Sequence, residues 1–302
     1  MAKVKIDNIS KLCWVIVDVE RTFDHHTLHP KVTEMYLRKG YDQAPLSSDE
    51  AKSHGLSRFN GFVSSFPSIR RYSESNGSSI VIADMMPTRY LVGQACRDIF
   101  KEDGITEEGK IRELSPDMAH VALIVPSEYN GKKVLIAQLK GKGLGEGEII
   151  APAACGNIDA KFLKKKDPFK SALEQECLEE IGISLSDLET SKPAFFMDDS
   201  ETAEVSFAYV AKKIDLLKII EAYRKSVETT LLSELEVRGL ALLPIEYSHS
   251  EAFDEVMIIQ PTENRKFEWS IEKRGLRPYT LGLIDFLKDK EKRKSFLENC
   301  GF

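Results

Sequence analysis

Three things are scarce in this 302-residue sequence, and each scarcity removes a class of protein. Its five cysteines, Cys13, Cys96, Cys155, Cys177 and Cys300, form no CxxC pair and are odd in number, so they read as reduced intracellular thiols rather than a disulfide framework. No apolar run approaches about 18 residues and the opening MAKVKIDNIS is polar, so neither a membrane span nor a signal peptide is visible and the cytoplasm is the expected compartment. Positive charge is in deficit: a net charge of -6 argues against a dedicated nucleic-acid binder, which needs a basic surface for its phosphate contacts. What remains is 42% apolar residues, ample for the core of one large or two modest domains.

Against that background one stretch concentrates acid where a helix least favours it. Residues 156–183 read GNIDAKFLKKKDPFKSALEQECLEEIGI. Asp167 followed by Pro168 is a helix start and Gly182 a stop, which predicts a helix over about 168 to 181. Phe169, Ala172, Leu173, Cys177 and Ile181 fall at helical spacing and can face a core. Glu176, Glu179 and Glu180 are then neighbours at i, i+3 and i+4, free to converge on one point. Like charges so placed, at the negative end of the helix dipole, each cost about 0.3 to 1 kcal/mol. A bound divalent cation removes that cost, and Mg2+ takes carboxylate oxygens, waters and phosphate oxygens. A solvated acidic face would have the same spacing.

This stretch resembles the Nudix box, G-x5-E-x7-R-E-U-x-E-E-x-G-U with U apolar. The matching part is Gln175, Glu176, Cys177, Leu178, Glu179, Glu180, Ile181, Gly182 and Ile183. Seven residues separate Asp167 from Gln175, so Asp167 stands where the pattern has its first Glu. Ten residues separate Gly156 from Asp167 where the family has five, so the Lys-rich KFLKKK segment reads as an insertion. Gln175 stands where the family has an Arg that helps position the glutamates through an ion pair; Asp167 and Gln175 could share at most a hydrogen bond.

The resemblance implies an α/β fold, a Nudix-like mixed-sheet α/β/α sandwich over residues 116–302, preceded by a smaller α/β module over 1–115 of unknown role. It implies Mg2+ or Mn2+ as cofactor and a nucleoside diphosphate derivative as substrate, cleaved at a diphosphate linkage. Glu176 and Glu180 would be the principal metal ligands. Glu179 would be a further ligand or the base for the attacking water, and the Gly156 carbonyl would lie close to the metal. The alternative is a non-catalytic Nudix-like module that binds a nucleotide or a protein partner, motivated by Gln175 and the lengthened loop. Either reading leaves a homodimer open and requires no membrane.

Elsewhere the chain offers weaker candidates. Residues 11–20, KLCWVIVDVE, read as a buried strand ending in Asp18 and Glu20, a D-x-E pattern that a two-metal nuclease would use only with further acidic motifs. His25, His26 and His29 could bind metal, but a polar turn explains them more simply. Residues 43–79 read as loops, 79–84 as a strand, and Pro87 as the start of a helix reaching about Phe100. MAHVALIVP and KKVLIAQL form a hairpin through Asn130-Gly131, then a glycine-rich loop and a strand lead into Gly156. KPAFFMDD and EVSFAYVAKKI are strands around an acidic turn of Asp198, Asp199, Glu201 and Glu204, where a ligand or base outside the box could sit. A helix over 214–235, two short strands and a helix from about Pro278 to Asn299 complete the pattern. Phe267, Trp269, Arg274, Arg277 and Tyr279 precede or open that last helix as packing residues or as a surface for a base and phosphates.

Overall fold

A computed structural model describes residues 4–17, 23–53, 60–103, 113–114, 116–141, 149–190, 192–199, 203–230, 236–246 and 256–302. Asp18, Glu20, Glu201 and most of the glycine-rich loop, 142–148, lie outside the described residues.

In chain order the elements are β1 (Val4–Ile16), α1 (Pro30–Arg38), α2 (Ser48–Ser53), β2 (Phe62–Ser73), β3 (Ser79–Arg89) and α3 (Tyr90–Asp103). Next come β4 (Asp117–Tyr129), β5 (Lys132–Lys140), β6 (Ile149–Pro152), β7 (Ala154–Asn157), α4 (Pro168–Glu180), β8 (Pro193–Asp199) and β9 (Glu204–Val210). The remainder is α5 (Leu216–Thr229), β10 (Val237–Pro244), β11 (Val256–Pro261), β12 (Phe267–Glu272), β13 (Gly275–Leu276), α6 (Pro278–Lys288) and α7 (Lys290–Cys300). The class is α/β with mixed strand pairing.

Two compact units divide these elements, and each draws on separated stretches of sequence: 1–121 with 157–172 and 194–207, and 122–156 with 173–193 and 208–302. In the first unit β1 runs parallel to β3 and antiparallel to β8, while β2 pairs with β3. Its centre is aromatic. Phe169 packs edge-on against Trp14 and Phe207, with ring centroids 5.4 and 5.1 Å away, and stacks on Phe66 at 6.2 Å. Such pairs add about 0.5–1.5 kcal/mol each beyond the area they bury.

In the second unit β5 is central. It pairs antiparallel with β4 on one edge and with β10 on the other, and its last residues pair with β6. The β4–β5 turn places Asn130 at φ 50° and Gly131 at φ 72°, the left-handed pair that the Asn-Gly signal predicts. Helix α4 begins as expected, with Asp167 Oδ1 accepting from the Lys170 N–H at 2.9 Å, a cap that contributes about 1 kcal/mol. It ends at Gly182, φ +70°, where an added Cβ would lie 2.7 Å from the Ala222 carbonyl oxygen of α5. Leu173, Cys177 and Ile181 are fully buried.

Several expectations are corrected. Pro87 does not open a helix; it lies in β3 opposite Ser64, past Met85, the last residue that pairs with β1. A missing N–H there breaks no bond to β1, so the strand tolerates the proline. Residues 62–73, read as loop, form β2. Val63, Ser64, Ser65 and Phe66 are buried on alternate faces, and the pairing shifts between Ser65 and Ser68, so neither apolar alternation nor an unbroken run marks the strand. Strand β1 starts at Val4, well before residue 11. Asp198 and Asp199 are buried residues of β8, and Glu204 belongs to β9, so they do not form a surface turn. The C-terminal helix is two helices, because Asp289 turns the chain to ψ 123° and caps α7 by accepting from the Glu291 and Lys292 N–H groups. Phe267 and Trp269 belong to β12, and Trp269 stays half exposed, stacked on Tyr129 at 5.2 Å.

A candidate acidic site on helix α4

Glu176 and Glu180 lie one turn apart on α4 and point to the side where β5 and β7 run. Glu180 is the more deeply set, 4% exposed. Its Oε2 accepts from the Cys155 backbone N–H and from Gln138 Nε2, both at 2.8 Å. Its Oε1 lies 2.6 Å from the Lys140 ammonium, at ion-pair distance without hydrogen-bond geometry. Lys140 is itself 6% exposed and holds Glu236 Oε1 at 2.9 Å and the Cys155 carbonyl at 3.4 Å. Glu236 is the outer member, with 60% of its side chain exposed.

Glu176 sits directly over Gly156. A Cβ on residue 156 would fall 2.2 Å from Glu176 Oε1, so only glycine leaves that carboxylate its place. Burial, and secondarily the Glu180 charge, push the Glu176 carboxyl well above the ordinary glutamate value, with Lys140 opposing. Burial also raises Glu180, against the pull of Lys140 and its hydrogen-bond donors. Burial alone would lower the Lys140 pKa; the Glu180 carboxylate, with Cys155 and Glu236 behind it, holds it above the usual lysine value. The same ammonium holds Glu236 below the ordinary range. Cys155, fully enclosed, is raised to about 11 by burial and is no nucleophile at neutral pH.

Glu179 does not join them. It is exposed, and its Oε1 accepts from Gln175 Nε2 at 2.7 Å. Gln175 therefore orients Glu179 rather than pairing with Asp167, whose side chain caps the helix. Among the described residues no three His, Cys, Asp or Glu side chains form a metal-ligand set. Mg2+ does not need three, since one or two carboxylates with waters and substrate phosphates commonly suffice. Three features here fit a hard divalent ion: two carboxylates with raised pKa values, Glu180 buried and Glu176 half-buried, a glycine cradle that a Cβ would fill, and the buried Gln138 Oε1, which has no hydrogen-bond partner among the described residues. One feature opposes it, the ammonium already against Glu180.

The other candidates fall elsewhere or resolve as structure. His29 caps α1, its Nδ1 accepting from the Lys31 N–H at 3.3 Å. Asp198 lines a groove of about 290 Å³ in the first unit with Asp117, Arg71 and Phe196, and Glu204 in that unit forms an ion pair with Arg97. Lys140, Gln138 and Glu236 were not singled out by sequence. A signal existed for the first two: in VLIAQLK they are polar at i and i+2, on one face of an otherwise apolar strand.

No family model and no curated protein matches the chain. Among solved structures, the crystal structure of a mutT/nudix family protein from Listeria innocua is similar at a TM-score of 0.33 and 16% identity, over 61% of this chain and 96% of that one. No helix among the described residues is long and apolar enough to cross a membrane.

Proposed function

We propose that this chain is a Nudix-type hydrolase, dependent on Mg2+ or Mn2+, that cleaves a diphosphate linkage in a nucleoside diphosphate derivative. The observation that carries the reading is the seat of the half-buried Glu176 on Gly156 beside the buried Glu180, two carboxylates at the spacing of the family's box. Glu176 and Glu180 would hold the ion, with the Gly156 carbonyl near it. A divalent ion so held would neutralise diphosphate oxygens and promote deprotonation of water. Gln138 and the Cys155 N–H fix the orientation of Glu180, which is the work the family assigns to the missing arginine. Glu179, exposed and hydrogen-bonded to Gln175, would take a proton from water rather than bind metal. The test is turnover of a panel of dinucleoside polyphosphates, nucleotide sugars and oxidised nucleotides with Mg2+ or Mn2+. Metal-dependent release of product by the wild-type chain and its loss in Glu176→Gln support the reading; equal activity in both sinks it.

The ion pair of Lys140 with Glu180 favours a second reading, a non-catalytic module that binds a nucleotide or a protein partner, with residues 1–115 supplying regulation or dimer contacts. That module would bind nucleoside diphosphates equally well in EDTA, and would turn none over.

A further inference from the structure

The geometry points to Lys140 as a resident counter-cation that a divalent ion must displace from Glu180, so that this lysine sets the metal affinity of the site. The inference rests on the metal-dependent reading above. Lys140 Nζ stands 2.6 Å from Glu180 Oε1, and an ion taking that same oxygen would stand within about 5 Å of the ammonium in a buried setting, where like charges are poorly screened. The two cations cannot share Glu180 in that arrangement. The lysine nevertheless has a second place to go. Glu236 Oε1 already lies 2.9 Å from the same nitrogen, and the Glu236 side chain is 60% exposed where that of Glu180 is 3% exposed. Sliding from the inner carboxylate to the outer one keeps the ammonium paired and moves it toward water. The Cys155 carbonyl, 3.4 Å from Nζ, lies within reach of the same ammonium.

The charges then match. With Lys140 on Glu236, the carboxylates of Glu176 and Glu180 carry two negative charges for one divalent ion. With Lys140 on Glu180, only Glu176 remains. The lysine thus keeps the empty site from standing as a buried, uncompensated pair of acids, at the expense of metal affinity. Helix α4 shows why such a device is useful here: Gln175, which replaces a cationic side chain of the family pattern, brings no positive charge.

The test is Mn2+ alone, titrated into the full-length wild-type chain and Lys140→Met at about pH 8 and followed by electron paramagnetic resonance. Lys140→Met is expected to bind Mn2+ roughly tenfold or more tightly than wild type, because the competing cation is gone. Equal or weaker binding by Lys140→Met, while wild type binds, overturns the inference and leaves the metal-dependent reading standing. If neither protein binds Mn2+, the metal-dependent reading falls first and this inference with it. Should Lys140→Met fail to fold, the wild-type chain gives a second readout. Saturating Mn2+ is expected to speed acylation of Lys140, measured by mass spectrometry, as the ammonium moves outward; labelling that Mn2+ leaves unchanged overturns the inference.

Discussion

Each unit of the molecule holds a cluster of charged side chains, and the two are balanced differently. In the first, Asp98 accepts from Tyr41 and Gln94, Arg97 pairs with Glu204, and Gln94 also accepts from Arg97. Each carboxylate there has its own donors, a guanidinium on Glu204 and neutral groups on Asp98. In the second, the Lys140 ammonium touches Glu180 and Glu236 while Glu176, held over Gly156, receives no hydrogen bond from the described residues. A cluster whose acids all have donors can be structure alone. A cluster with a desolvated carboxylate that no donor satisfies carries a standing cost that a cation would relieve, and that unsatisfied acid is what separates a candidate site from an internal brace.

Removing the cation from each cluster breaks the comparison most sharply. Lys140→Met should destabilise the metal-free protein by about 3–5 kcal/mol, because it strands a buried carboxylate. Urea denaturation should show Mn2+ recovering much of that loss. Arg97→Met should also destabilise, and Mn2+ should recover none of it. Recovery of both variants, or of neither, would erase the distinction between the clusters.

Gly156→Ala is the next largest change. The atom its Cβ would strike is the end of a flexible side chain, so folding should change by less than about 1 kcal/mol while Glu176 is pushed aside. Mn2+ affinity is expected to fall about tenfold or more. Gly182→Ala is the matching control. It strikes backbone at φ +70°, and should cost stability without a specific effect on metal binding.

The helix that carries the acids was legible because its signals are local: Asp-Pro at the start, Gly182 at the stop, apolar residues at helical spacing between. The Asn130-Gly131 turn was legible for the same reason. Lys140 was not, since its partners Glu180 and Glu236 come from distant stretches that only the fold brings to β5. Strand β2 was hidden by its own chemistry. Serines 64 and 65 fill buried positions that a sequence reading assigns to apolar side chains, and Pro67 interrupts the pairing. Glu179 shows the limit of spacing as a guide: i+3 puts it beside Glu176 on the helix, but only the sheet decides which neighbours are covered.

A smaller effect follows from pH. Because burial raises the Glu176 carboxyl above the ordinary value of 4.5, the folded state binds that proton more tightly than the unfolded chain. Its contribution to stability is complete below about pH 4.5 and is lost as pH rises through the raised value. In EDTA, Glu176→Gln should therefore gain melting temperature relative to wild type as pH increases, and a difference that stays flat with pH would contradict the burial of this carboxylate. The smallest effect is expected at Glu179. Glu179→Gln removes an exposed charge, so stability should change by less than about 0.5 kcal/mol and Mn2+ affinity should hold, while turnover falls if Glu179 is the base.

The central claim is that Glu176 and Glu180 together hold a divalent ion that Lys140 yields to. A crystal structure grown with saturating Mn2+ and read at the manganese absorption edge tests it directly. The account predicts an anomalous peak bonded to both carboxylates, with the Lys140 ammonium moved from Glu180 onto Glu236; no peak at Glu176, with Lys140 still seated on Glu180, would contradict it.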